Sequence, residues 1–265
     1  MLKKVITTLA VSLGIATISA PAQAHFQLIY TPEANLADPA NIPLYLNFWH
    51  PMENGHVMDM AKPREFYYVF RGEKHDLLDT LKEVTFEGKG NSAQAFVSEA
   101  RLQRNGDYIF VVVPEPYYEK SEDIYIQQIT KSYVNRGGLP DAWAEPLGLP
   151  TEMLPYVKPN NVIVGSTFTA QVLSEGKAVA GAEIEVEYMV APPEVATNKV
   201  SSNDSVEAKG GSIVVLTDEN GMFTFGIPKA GFWGFAALGT GPEDQFEGKE
   251  LSQDAVIWIR ADELE

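Results

Sequence analysis

The chain has 265 residues, a formal net charge of −16, four histidines and no cysteine. That acidity disfavours nucleic acid and anionic lipid as partners and concentrates cations at the surface. The lack of cysteine excludes thiolate metal centres, disulfides and cysteine nucleophiles, and a composition 45% hydrophobic and 11% aromatic excludes a disordered polymer.

Residues 1–24 read as a cleavable secretory signal. Lys3 and Lys4 supply the positive start, Val5 to Ile18 the apolar run, and Ala22-Gln23-Ala24 the small-x-small cleavage site. The apolar run falls short of the roughly 20 residues that span a bilayer. Cleavage after Ala24 makes His25 the first residue of an exported, periplasmic protein of 241 residues and leaves a net charge near −18, since Lys3 and Lys4 are lost from −16. No later segment reads as a membrane span.

Short β-rich runs follow one another along the rest of the chain. In the first half the clearest are Ile42 to Trp49, Glu65 to Phe70, Gln94 to Ala100, Tyr108 to Val113 and Asp123 to Thr130. Asn105-Gly106-Asp107 marks a hairpin turn. The best helical candidate is Lys74 to Lys82, where Leu77, Leu78 and Leu81 fall at helical spacing. From Tyr133 to Asn161, glycines and prolines punctuate a stretch without a sustained period. It reads as an ordered connection anchored by Trp143, Leu147, Leu149 and Tyr156.

Beyond it, Ser166 to Leu173, Ala182 to Val190, Ile213 to Thr217, Met222 to Gly226, Gly231 to Leu238 and Ala255 to Ile259 read as strands of a compact sandwich. Asn198 to Gly211 is polar and reads as a loop. The expected architecture is all-β, with two immunoglobulin-like β-sandwich domains, 25–158 and 159–265, joined by the Pro/Gly-rich ordered connection.

Imidazole is the commonest transition-metal ligand. His50 and His56 flank a loop forced by Pro51 and Gly55 in FWHPMENGHVMDM, and His25 stands at the expected new N-terminus. A terminal histidine can chelate one ion through both its α-amine and its ring Nδ1, and the amine loses its proton readily near neutrality. One further imidazole from His50 or His56 completes a nitrogen set suited to Ni(II) or Cu(II). Met58 and Met60 add thioethers, a residue type that is more often core filler than a ligand. His75 reads as a solvated turn residue. The PEPYYEKSED segment brings Glu115, Glu119, Glu122 and Asp123, either as a solvated loop or as a packed loop carrying a carboxylate toward the metal. Nucleophile-elbow, zinc-helix, Walker and dinucleotide signatures do not occur, so a binding protein is expected rather than an enzyme.

The segments AHFQLIY, NFWHPMENGHVMDMAKPREFYYVFRGEKHDLL, GDYIFVVVPEPYYEKSEDIYIQQITKSYVN and GMFTFGIPKAGFWGFAAL resemble an exported family of unknown function. Its members are labelled as periplasmic components of nickel or cobalt uptake, encoded beside energy-coupling-factor transporters. The C-terminal part, GKAVAGAEIEVEY onward, resembles a carboxypeptidase-regulatory or transthyretin-like sandwich. The resemblance implies capture of Ni(II) or Co(II) as cargo for a membrane transporter, with the family's histidine pattern falling on His25, His50 and His56 and its acidic motif on Glu119 and Glu122. With Met58 as the remaining candidate ligand, a copper-binding protein using His25 with Met58 or Met60 on Cu(I), and a metal-free interaction module, stand as alternatives.

Overall fold

The computed structural model describes residues 25–264; the expected secretory signal lies outside the described residues. Strand follows strand, and the only helical turn among the described residues is a 3-10 turn at Leu78–Thr80. None of their helices is long and apolar enough to cross a membrane.

Three sheets carry the chain. The first runs in the order Phe26–Tyr30, Ala40–Trp49, Ser92–Leu102, Lys82–Glu87, with the two-residue strand Val57–Met58 beside Ala40–Trp49. The second runs Ile213–Leu216, Glu183–Tyr188, Gly231–Ala237, Lys249–Asp262, Ile124–Arg136, Gly106–Val113, Glu65–Phe70, Glu73–Asp76. The third centres on Thr167–Ser174, flanked by Thr151–Pro155 and Met222–Gly226. Within the second sheet, Lys249–Asp262 pairs in parallel with Ile124–Arg136 from Tyr125↔Leu251 to Ser132↔Trp258. The expected boundary at residue 158 therefore lies between strands that share one sheet.

Burial follows the two-residue side-chain period of a strand. In Ala40–Trp49, Ile42, Leu44 and Leu46 face one core with Phe66, Phe110, Val112 and Val134, whereas Tyr45 and Trp49 face another with Phe26, Phe86, Val256 and Trp258. On the far side of the second sheet, Ile257, Ile259 and Phe235 pack with Phe168, Val172 and Met153 of the third. An unpaired strand edge leaves backbone groups that need partners. At Phe26–Tyr30 the second sheet supplies them from side chains: Gln128 Oε1 accepts from the Gln27 N–H at 2.8 Å, and Trp258 Nε1 donates to the Gln27 carbonyl at 2.9 Å.

Two expectations are corrected. Lys74 to Lys82 is not a helix. Glu73–Asp76 pairs with Glu65–Phe70, and Leu78–Thr80 makes one tight turn before the next strand begins at Lys82. Cross-strand pairing outweighs the local leucine spacing: His75 stacks on Tyr68 (4.6 Å, 13°) and Leu77 enters the core. The stretch from Tyr133 to Asn161 is likewise more than a connection. Ile124–Arg136 runs through its start, and Thr151–Pro155 joins the third sheet. The segment between them is held by Glu152, which accepts from the N–H groups of Leu147 and Gly148 and pairs with buried Lys131 at 2.8 Å.

Candidate metal site

The register of the first two strands positions the site. Phe26 opposes Trp49 and Gln27 opposes Phe48, in an antiparallel ladder that runs on to Tyr30↔Tyr45. One step further along the same diagonal, His25 stands against His50. Their rings lie 4.4 Å apart at 51°. Alternation puts both on the face that carries Gln27 and Phe48, opposite the face of Phe26 and Trp49. Both are largely shielded from solvent, His50 at 4% exposure and the His25 side chain at 12%.

His50 opens a tight loop, with the Gly55 N–H donating to its carbonyl at 3.0 Å. Gly55 also passes close to the ring-bearing carbon; a methyl there would sit 3.3 Å from His50 Cβ. The loop is tied to the second half of the chain. The Met52 N–H donates to buried Glu187 (2.8 Å), and Asn54 Nδ2 donates to the carbonyls of Ser202 and Asp204. Burial drives the Glu187 carboxyl well above its ordinary value, against the lowering effect of the Met52 hydrogen bond.

The short strand Tyr117–Glu119, paired with the start of Ile124–Arg136, delivers the carboxylate. Glu119 Oε2 lies 3.1 Å from His25 Nε2. Its other oxygen accepts from the N–H and hydroxyl of Ser121, at 2.8 and 2.5 Å. Burial pushes Glu119 up, but the Ser121 hydrogen bonds, joined by the charges of His25 and His50, outweigh it and hold the carboxyl below its ordinary value. Phe48 and Tyr117 wall the cluster, their rings 5.6 and 6.2 Å from that of His25 and 5.2 Å from each other.

Of the sequence candidates, His25, His50 and Glu119 thus converge. His56 is exposed and engaged with Asn91, whose Nδ2 lies 3.2 Å from its Nε2. The Asn91 amide is itself oriented by the backbone of Val57. Met58 is buried with Phe48 and Ile126, and Met60 lies against the Gln27 amide. Glu115 pairs with Arg64, Asp123 with Lys249, and Glu122 is exposed. Sequence reasoning missed Ser121, which anchors Glu119, and the Phe48–Tyr117 wall. Among the described residues, no group of three His, Asp or Glu side chains is arranged to hold a metal ion as it stands.

A model of a domain of unknown function, DUF4198, matches residues 22–241. The chain belongs to the DUF4198 family. No curated protein matches it. Among solved structures, this DUF4198 protein is similar to the Yersinia pseudotuberculosis adhesin InvE (12% identity, TM-score 0.25), covering 88% of its own length and 58% of the InvE chain. It also matches the D0-D1 domain of Intimin (10%, TM-score 0.21, covering 87% and 96%) and the I-band fragment I67-I69 of titin (7%, TM-score 0.21, covering 91% and 67%).

Proposed function

We propose that this DUF4198 protein is an exported, periplasmic binding protein for a divalent transition-metal ion, nickel or cobalt, which it holds as cargo for a membrane transporter. The observation that carries the reading is the meeting of His25 and His50 at the end of a ladder, with Glu119 on His25 Nε2. A carboxylate on one ring nitrogen of a histidine fixes the tautomer and orients the ring. With Nε2–H donating to Glu119, Nδ1 is the unprotonated nitrogen, the one a terminal histidine uses to chelate together with its amine. His50 supplies the second imidazole. The set is completed by an amine that exists only after cleavage at Ala24, so two imidazoles and a carboxylate are not by themselves the site.

Nitrogen donors of this kind suit Ni(II), and copper competes for them by affinity order. Met58, packed against the Phe48 wall, is the thioether a Cu(I)-binding alternative would recruit. Equilibrium dialysis with Ni(II) on protein carrying the native processed N-terminus tests the reading. One ion per chain is expected, lost in His50→Ala and in a chain with one extra residue before His25. Mature protein whose mass places the N-terminus elsewhere, or nickel binding indifferent to both changes, overturns it. Cu(I) binding that depends on Met58 and is absent for nickel favours the copper alternative.

A further inference from the structure

Next to the histidine cluster, behind the Phe48–Tyr117 wall, lies a separate pocket of about 250 Å³ between the first and second sheets. Phe48, Met60, Tyr117, Tyr118 and Ile126 make most of its surface apolar and largely aromatic. Its polar lining is acceptor-rich. Gln27, 2% exposed, is held in place there, its amide N–H groups donating to the carbonyls of Leu28 and Asn47. Asp59 stands at the rim, one oxygen accepting from the Gln94 N–H. Glu115 is neutralised by Arg64, and the one lining base, Lys120, is exposed on the turn after Glu119.

Aromatic faces attract cations, and the attraction grows as water is excluded. A concave apolar pocket with a few convergent polar groups is the usual form of a small-ligand site. We propose that this pocket binds a small organic cation, a protonated amine on a flat apolar body, with the body between Phe48, Tyr117 and Ile126 and the ammonium toward Asp59. The inference stands apart from the metal reading, because none of these residues is a ligand there.

Calorimetric titration with phenethylammonium at pH 7, in chelator so that no metal contributes, tests it. One saturable site per chain is expected. The uncharged isostere 2-phenylethanol is expected to bind about fivefold or more weakly, the signature of a charge-selective site. Asp59→Asn should weaken the amine by a similar factor, and Ala61→Trp, which fills the pocket from an exposed position, by about tenfold or more. Thermal unfolding confirms that each variant is folded. Lack of saturation up to about 10 mM, equal binding of amine and alcohol, or undiminished binding in folded Ala61→Trp overturns the proposal.

Discussion

His25 Nε2 meets Glu119 Oε2 at 3.1 Å, and the other oxygen of the same carboxylate is held by Ser121. In the proposed site, a carboxylate so fixed orients the His25 ring rather than serving as a ligand itself. Glu119→Gln keeps the size but replaces an acceptor of the Nε2 proton with an amide that can also donate. Nickel affinity is expected to fall about 10- to 100-fold, the range for loss of an orienting partner, with the stoichiometry of one ion unchanged. Competition dialysis against a chelator of known affinity reads the loss.

The two loop histidines should separate cleanly. His50 faces His25, whereas His56 is turned to Asn91. His50→Ala is expected to abolish nickel binding, and His56→Ala to leave the dissociation constant within about twofold, as expected of a residue outside the coordination sphere. Binding should also weaken as pH falls, since protons compete with a metal ion for imidazole nitrogen. Paired titrations at pH 7.5 and 5.5 test both points.

Glu185 is 3% exposed, and burial raises its carboxyl to about 7; a Ser212 hydrogen bond opposes this, while Glu183, Asp254 and Glu122 add to it. An acid whose folded value lies above its unfolded one binds more protons in the native state, so stability falls as pH rises between the two values. Here that window runs from about 4.5 to about 7. Glu185→Gln is expected to flatten the slope across this window and to stabilise the protein at pH 8 by about 1–3 kcal/mol relative to wild type. Urea unfolding at pH 5, 6.5 and 8 measures it.

The Lys131–Glu152 pair is almost wholly buried, its side chains 1% and 2% exposed. Removing one member of such a pair strands the other charge. Lys131→Met should therefore cost about 3–5 kcal/mol. Glu152→Leu should cost more, because it also leaves the N–H groups of Leu147 and Gly148 without their acceptor. If Lys131→Met unfolds within about 1 kcal/mol of wild type, the pair does not hold the 137–150 segment as described.

Much of the fold was legible from local pattern. Glu65–Phe70 and Met222–Gly226 have the bounds their β-branched and aromatic runs indicate, and Ile184, Val186 and Tyr188 alternate with glutamates as a strand requires. The failures came where pairing with a particular partner overrides local spacing. Leu77, Leu78 and Leu81 imitate a helix, yet the preceding residues are captured by Glu65–Phe70. Lys131 and Asn135 look too polar for a central strand, yet they lie buried in Ile124–Arg136 because Glu152 and Asp107 lie within bonding reach.

By itself, the sequence determined an acidic, cysteine-free, strand-forming chain with histidine as its only soft nitrogen donor, because composition and two-residue alternation are local properties. Only the tertiary structure decided which histidines meet. His25 reaches His50 through an antiparallel register set by several core pairs, and reaches Glu119 through a strand on the other sheet. His56, far closer to His50 along the chain, is taken by Asn91 instead. Register is a cooperative outcome of burying one face of each strand, and no short spacing of histidines encodes it.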